Sequence, residues 1–249
     1  MHAIPFTRRT LPYSLLYSML VLPLPGGIPM AIAGEPVWAG KAGIGAVVAR
    51  GNTNSSALTG QLDLSRKSGR LTHSFLADIH QARAEGVDTA DRLLIGYKVD
   101  RELNERCYVW GSLRYDSDAF ADIDERKTAS LGLGYRVLLG PVHTLSVETG
   151  VGWRATTFVS ALPDTNDTPI NVSLAYEGKF NDNVRLTQRL SAEVGNDNTL
   201  YASTTDLNVK MNGHLSLSLI YGIRRNTKIA GTLGKMTDSL TTVNLVYSF

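Results

Sequence analysis

Apolar and polar residues alternate along most of this chain, and this period of two limits what it can fold into. In the run HLSLSLIYGIR, Leu215, Leu217 and Leu219 fall on one side of an extended strand, and Ser216 and Ser218 fall on the other. Helical periodicity is absent from almost every window. The pattern therefore predicts a chain of β-strands that each present one apolar face. The same alternation recurs in NVSLAYEGKF, VRLTQRLSAEV, DLNVKMN, SLGLGYRV and TLSVETGVGW.

Turn residues divide these runs into twelve predicted strands. Most are long enough to cross a bilayer at a tilt, which takes about 9–11 residues. A closed barrel is the β-structure that can span a membrane, because closure leaves no unpaired edge in the hydrocarbon. The predicted strands cover residues 37–50, 55–67, 71–83, 90–101, 105–117, 125–138, 142–158, 169–180, 184–195, 199–211, 214–226 and 236–249.

The links between the predicted strands alternate in length. Links after even-numbered strands are tight, as in KSGR, LNER, LGPV, NDN and NG. Several links after odd-numbered strands are longer, as in AEGVDT, DAFADIDE, SALPDTND and NTKIAGTLGK. Outer-membrane barrels have short periplasmic turns, longer extracellular loops and an even strand count. The sequence therefore predicts an all-β fold, a twelve-stranded antiparallel transmembrane β-barrel with periplasmic termini; a soluble secreted β-sandwich is the alternative.

Aromatic residues on the apolar face are candidates for the two interfacial girdles of such a barrel. They are Tyr97, Tyr115, Tyr135, Trp153, Tyr176, Phe180, Tyr201, Tyr221, Tyr247 and Phe249.

Residues 1–33 have the composition of a cleaved secretory signal peptide. Two arginines precede a short apolar stretch, and Ala31 and Ala33 form a small-x-small cleavage site. We expect cleavage after Ala33, which leaves residues 34–249 as the outer-membrane barrel domain. An uncleaved anchor helix is the alternative, although prolines interrupt the apolar stretch.

The charge of the mature chain excludes one class of partner. Lys plus Arg number 25 and Asp plus Glu 23; cleavage removes two arginines and no acid, so the mature chain is formally neutral. This balance gives no support for nucleic-acid binding. The single cysteine, Cys107, excludes an intramolecular disulfide.

Histidine chemistry receives little support. Asp78, His80 and Ser74 share one face of a strand, but positions two apart lie about 6.5–7 Å from each other, which is long for a base and its nucleophile. No His or Cys spacing matches a metal site. We therefore expect no enzyme, no metal and no cofactor, and an enzyme acting on lipid is the third functional alternative.

Alternate positions of a strand share one face, and we assign the face with the charged residues to the barrel interior. A charge on the lipid face at mid-depth costs about 2–4 kcal/mol. Ten basic and nine acidic candidates nearly balance, which argues against strong selectivity for one sign of ion. We expect salt bridges that leave at most a narrow path. The residues assigned to the lumen are Arg92, Lys98, Arg114, Arg136, Glu148, Arg154, Glu177, Lys179, Arg185, Arg189, Glu193, Asp206, Lys210 and Arg224, with Asp63, Asp78, Asp100, Asp116 and Asp238 as further acids.

Glycines form a low patch on the same inner face. Gly132, Gly134, Gly150 and Gly152 are inward on the sixth and seventh strands, and Tyr108 and Trp110 are inward on the fifth. We expect the two rings to pack over the glycines, which stabilises a strand that lacks side chains. An aromatic slide for a ligand is the alternative.

The chain ends on the alternating run TTVNLVYSF. Val243, Leu245, Tyr247 and Phe249 lie on one side of this last strand, which is predicted to close the barrel against the first. The ending resembles the assembly signal of outer-membrane barrels. That resemblance implies, as partners, the barrel-assembly machinery and periplasmic chaperones during biogenesis, together with outer-membrane lipid and lipopolysaccharide.

Several motifs resemble the YdiY-like family of salt-induced outer-membrane proteins, which is also catalogued as domain of unknown function 481. They are ARGNTNSSALTGQLDLSRKSG, GLGYRVL, HTLSVETGVGWR, RLSAEVGNDNT, LNVKMNGHLSLSLIYGIRRN and VNLVYSF, and the resemblance covers Val37 to Phe249. It implies a barrel in the outer membrane of a Gram-negative bacterium, linked to salt stress, and it supplies no catalytic residues. We expect a narrow channel or passive transport barrel. The alternative is a non-conducting structural barrel that supports envelope integrity.

Overall fold

The computed structural model describes residues 37–49, 54–160, 162–196, 198–227 and 237–249. The predicted signal peptide, residues 1–33, lies outside the described residues, as does most of the NTKIAGTLGK link. Within the described ranges, no helix is both long enough and apolar enough to cross a membrane.

The described residues form thirteen antiparallel β-strands and one 3-10 turn, Ala119–Ala121. Twelve strands are long and follow the alternating runs, whereas β8 has only three residues. The strands are β1 Val37–Ala49, β2 Ser55–Ser68, β3 Leu71–Ala84, β4 Val87–Glu102, β5 Cys107–Asp118, β6 Ile123–Leu139, β7 His143–Phe158, β8 Thr165–Asp167, β9 Ile170–Lys179, β10 Val184–Val194, β11 Thr199–Lys210, β12 Leu215–Asn226 and β13 Thr237–Ser248.

The twelve long strands close into one ring, which confirms the predicted barrel. Each pairs with its neighbours in sequence, β9 pairs directly with β7, and β8 is a short addition to β7. The ring closes where β1 meets β13, with Lys41 opposite Ser248 and Ile44 opposite Leu245. Two further hydrogen bonds join the backbones of Gly40 and Phe249, at 2.9 and 3.0 Å. The last residue of the chain is therefore part of the closure.

One link is shorter than the sequence predicts. AEGVDT was expected to be an extended loop, but β3 continues to Ala84 and β4 begins at Val87. Only Glu85 and Gly86 lie between them, and both have left-handed backbones, with φ of 50° and 77°. A two-residue turn of this kind matches the twist of a hairpin, so the two strands extend further than expected.

The two faces of the wall follow the alternation. Val243, Leu245 and Tyr247 are exposed on the outside, whereas the intervening Asn244 and Val246 are buried inside. An outside that carries the apolar residues of the alternating strands is what a lipid environment requires. We call the end with the tight turns, where β1 begins and β13 ends, the turn end, and the opposite end the loop end.

The candidate girdle residues divide between the two ends. Tyr97, Tyr135 and Tyr247 lie near the turn end of their strands, and Trp153 and Tyr201 lie near the loop end. All five are exposed on the outer wall. This arrangement matches the aromatic belts that flank the apolar band of a membrane barrel.

Candidate functional site in the barrel interior

Charged side chains meet in the interior from strands that are far apart in the ring. The clearest case joins Asp116 on β5 to Arg224 on β12, which are six places apart in a ring of twelve. Arg224 Nη2 donates a hydrogen bond of 3.0 Å to Asp116 Oδ2. An open circle of twelve strands is about 24 Å across between backbones, which is more than these two side chains span together. Opposite walls therefore approach each other at this level.

Asp116 is the centre of a larger group at the loop end. Its side chain is 0% exposed, and besides Arg224 it has Arg92 Nε at 3.6 Å and Arg126 Nη1 at 3.9 Å. Three guanidinium groups around one carboxylate compensate the cost of burying its charge. Because the three arginines lie on β4, β6 and β12, Asp116 ties different parts of the wall together.

Glu193 on β10 forms the second centre. Arg114 holds it with two hydrogen bonds, Nη1 to Oε1 at 2.6 Å and Nη2 to Oε2 at 2.8 Å. Arg154 Nη1 lies 3.6 Å from Glu193 Oε2, and the same arginine donates to Asp167 at 3.0 and 2.5 Å. Asp167 is on β8, so this pair fixes the short strand to the barrel. We call the groups around Asp116 and Glu193 the loop-end cluster.

A separate cluster lies toward the turn end. Lys98 pairs with Glu148 and, at 3.2 Å, with Asp100, and Tyr108 Oη donates to Glu148 at 2.8 Å. Arg136 Nη2 donates to Glu102 at 2.8 Å, and Lys67 reaches the same oxygen at 3.0 Å. These residues form the turn-end cluster. Its members lie on β2 and β4–β7, so it covers one side of the interior.

Tyr108 and Trp110 pack on three of the four patch glycines, as the packing interpretation expects, whereas Gly152 lies beside Ser130 and Asn171. A Cβ on Gly134 would lie 2.1 Å from Tyr108 Cζ, and one on Gly132 or Gly150 would lie 2.7 or 2.8 Å from Trp110 Cζ2. The two rings are only 6% and 8% exposed. Buried rings cannot offer their faces to a passing ligand, so the slide interpretation finds no support.

The remaining lumen candidates lie on the other side of the interior. Arg185 Nε is 3.5 Å from Glu177, its neighbour on the wall. Asp206 accepts a hydrogen bond of 2.5 Å from Ser218. Arg189 has no acidic partner within 4.0 Å among the described residues, and neither do Lys179 and Lys210 at the turn end.

The sequence analysis missed two residues of the loop-end cluster. Arg126 lies directly opposite Asp116 in the β5–β6 register, but the predicted sixth strand began only one residue before it. Arg126 is an even number of positions from the inward Gly132 and Gly134, and this spacing was the signal in the sequence that it faces the interior. Asp167 fell in a predicted link, where parity assigns no face.

The histidine considered for catalysis lies inside the barrel without a hydrogen-bonding nucleophile. His80 Nδ1 is buried and has no hydrogen-bond partner among the described residues. His80 is opposite Arg92 on one side and Thr59 on the other.

Comparison with known proteins agrees with this architecture. The chain matches the family model described as "Protein of unknown function, DUF481" over residues 42–249. It is 27% identical to YdiY of Escherichia coli strain K12 over 210 residues, which cover 84% of this chain and 82% of the relative. The COG4313 outer membrane channel from Pseudomonas putida F1 matches with a TM-score of 0.50 and 14% identity, over 90% of this chain and 97% of that structure.

A second solved structure, the NanC porin, matches with a TM-score of 0.49 and 10% identity, over 86% of this chain and 99% of that structure. At 14% identity, the match to the Pseudomonas putida channel shows likeness of fold. A closed barrel with an apolar outside is the form in which β-structure spans a membrane. The protein is therefore a barrel of the outer membrane of a Gram-negative bacterium, as predicted.

Proposed function

The chain belongs to the DUF481 family, and we propose that its barrel is a narrow passive channel for small solutes, connected with salt or osmotic stress. The observation that carries this proposal is the uneven filling of the interior. Ion pairs are concentrated in the loop-end and turn-end clusters. Near mid-height, between these clusters, charged residues of β2, β3 and β10 also face the interior.

Three of these charged residues support a hydrated path. Asp63, Asp78 and Arg189 have no ion pair within 4.0 Å among the described residues. Asp63 accepts a hydrogen bond of 2.8 Å from Gln61, whereas Arg189 is exposed. Arg189 and Asp78 lie on β10 and β3, which are six places apart in the ring. A guanidinium without an acidic partner requires water around it. Water between these walls is the first requirement of a channel.

The chemistry of the path favours weak selectivity. Its charges include both carboxylates and a guanidinium, and strong selectivity requires an excess of one sign along the pore. The expected solutes are small ions and polar molecules that cross by diffusion. The loop-end and turn-end clusters restrict the width of the path.

A non-conducting structural barrel is the second candidate, and one contact favours it. The hydrogen bond between Arg224 and Asp116 crosses the ring, so the loop-end cluster obstructs much of the cross-section. If the hydrated path is also closed at the level of the loop-end cluster, the barrel serves to support the envelope.

Single-channel conductance in a planar bilayer separates the two candidates. We expect discrete, small conductance steps at low and high salt, with a reversal potential close to zero in a salt gradient. Folding is checked in parallel by heat-modifiable electrophoretic mobility. A folded protein that gives no steps at either salt concentration contradicts the channel and supports the structural barrel.

The connection with salt is tested in the cell. A strain that lacks the protein should grow more slowly than its parent after a shift to high NaCl, and a plasmid copy should restore growth. Equal growth of the two strains over the tolerated range of NaCl contradicts this part of the proposal.

A further inference from the structure

A strip of basic and aromatic side chains crosses the outer wall at the turn end. Trp38 on β1 is the register partner of Arg66 on β2, which is the partner of His73 on β3. Tyr97 follows on β4, and Arg101 lies four residues further on the same face of that strand. We propose that this strip binds the phosphate of an anionic phospholipid headgroup.

Contacts within the strip hold its side chains in place. Arg66 Cζ lies 5.4 Å from the centroid of the Trp38 ring. His73 Nδ1 is 2.7 Å from Tyr97 Oη, and the two rings stack with centroids 6.2 Å apart. Held side chains lose less entropy when a ligand binds. The Arg66 guanidinium is thus held next to a positioned imidazole, which presents its Nε2–H in the tautomer whose Nδ1 accepts from Tyr97 Oη.

The arginines of the strip have their charges available. Arg66 and Arg101 are exposed, and neither has an acidic partner within 4.0 Å in the described part of the chain. A guanidinium binds a phosphate through two parallel N–H donors, which makes it the preferred side chain for this group. Two such groups flank His73, Arg66 as its register partner on β2 and Arg101 two residues beyond its register partner on β4.

The surroundings of the strip identify the source of that phosphate as lipid. Toward mid-wall, the next outward residues on β2 and β3 are Leu64 and Phe75, which pair with each other in register. Trp38 is 63% exposed, and amphipathic rings of this kind lie at membrane–water interfaces. A molecule bound here has its charged group at the arginines and its acyl chains against Leu64 and Phe75. A free phosphate ion would use only the first of these contacts.

The barrel contains two comparable positions that lack the arginines. His143 stacks on Tyr176 with centroids 6.0 Å apart, and His214 stacks on Tyr247 at 5.6 Å. The three tyrosines lie on β4, β9 and β13, which are evenly spaced around the ring at intervals of four strands. The strands that precede these two histidines present Leu138 and Val209 on the outer wall near the turn end, both exposed and uncharged. The arginines, and not the repeated His–Tyr pair, distinguish the proposed site.

Quenching of Trp38 fluorescence by brominated lipids tests the proposal. The protein carries Trp153→Phe, so that Trp38 is the remaining tryptophan on the outer wall, and it is reconstituted in phosphatidylcholine bilayers. Brominated phosphatidylglycerol and brominated phosphatidylcholine are compared at equal mole fraction. We expect phosphatidylglycerol to associate about fivefold or more tightly, since each basic residue near a membrane surface contributes about that factor.

Variants assign the preference to the strip. Arg66→Gln with Arg101→Gln should reduce the preference to near one, whereas Arg225→Gln, on the outer wall at the loop end, should leave it unchanged. Added inorganic phosphate should not displace the lipid. If the two lipids quench Trp38 equally in the protein that retains Arg66 and Arg101, the proposal is overturned. That comparison does not depend on the folding of the double variant. An equal loss of preference in Arg225→Gln also overturns it, because the effect would then be that of overall charge.

Discussion

Arg224 and Asp116 join opposite walls of the barrel through a hydrogen bond of 3.0 Å between Nη2 and Oδ2. In a ring of twelve strands no two positions are further apart than those of β12 and β5. This contact fixes the cross-section at the loop end, because each wall is held at a set distance from the other. It also makes the interior charges part of the stability of the fold.

The first prediction concerns Asp116. Asp116→Asn removes a fully buried carboxylate and leaves three arginines without it, and loss of one partner from a buried pair costs about 3–5 kcal/mol. We expect a lower urea midpoint of unfolding, measured by tryptophan fluorescence in detergent micelles. Asp124→Asn, at an exposed position, is the control and should unfold at the parent midpoint. Equal midpoints for the two variants would show that Asp116 is not a stabilising centre.

The second prediction concerns the proposed hydrated path through the interior. Arg189→Ala removes a long side chain that no acidic group holds, so it should raise the single-channel conductance. The double variant with Arg185→Ala should raise it further, although Arg185 is paired with Glu177. Arg225→Ala, which removes the same side chain from the outer wall, should conduct like the parent. If the double variant and the parent conduct equally, these arginines do not restrict the path.

The third prediction concerns the glycine patch. Gly134→Ala places a Cβ 2.1 Å from Tyr108 Cζ, so the ring must move and the barrel should lose about 1–3 kcal/mol of stability. Gly60→Ala has no atom within 4 Å of its Cβ and should change stability by less than about 0.5 kcal/mol. In the background of Tyr108→Ala, the cost of Gly134→Ala should largely disappear, which a double-mutant cycle measures. Additive costs would show that the two residues do not interact.

The fourth prediction separates assembly from folding at the last residue. Phe249→Ala should reduce the amount of protein in outer-membrane fractions, because Phe249 ends the predicted assembly signal. Refolding of the purified variant into detergent should remain efficient, since the Gly40–Phe249 hydrogen bonds use backbone atoms. The Phe249 ring also lies against Gly40, so a variant that fails equally in the cell and in detergent would assign the effect to the loss of that packing.

Much of the fold follows from the period of two. Because alternate residues face opposite sides of a strand, the sequence places Asp116 and Glu193 on the same side of the wall as Arg224 before any pairing is known. The identity of the partners does not follow in this way. Asp116 meets Arg224 only because the ring closes and flattens, and neither property is visible in a single strand.

Strand boundaries account for the other differences. Arg126 lay at the edge of a predicted strand and Asp167 in a predicted link, so neither received a side, yet both belong to the loop-end cluster. The Glu85–Gly86 turn was missed because glutamate rarely adopts a positive φ. An Asn-Gly or Asp-Gly pair there would have predicted the tight hairpin.

The β1–β13 pairing that closes the ring is also the shortest ladder between two of the long strands. The β1–β2 ladder runs along the whole of β1, whereas the β1–β13 ladder spans only Lys41–Ile44 and its partners, with the Gly40–Phe249 bonds beyond it. Every other long-strand pair joins consecutive hairpin neighbours, which find each other locally. β1 and β13 pair only after some two hundred residues of intervening sheet are in place, and such distant pairings form slowly. The β1–β13 seam is therefore where the barrel should separate first when a force or a denaturant acts on it.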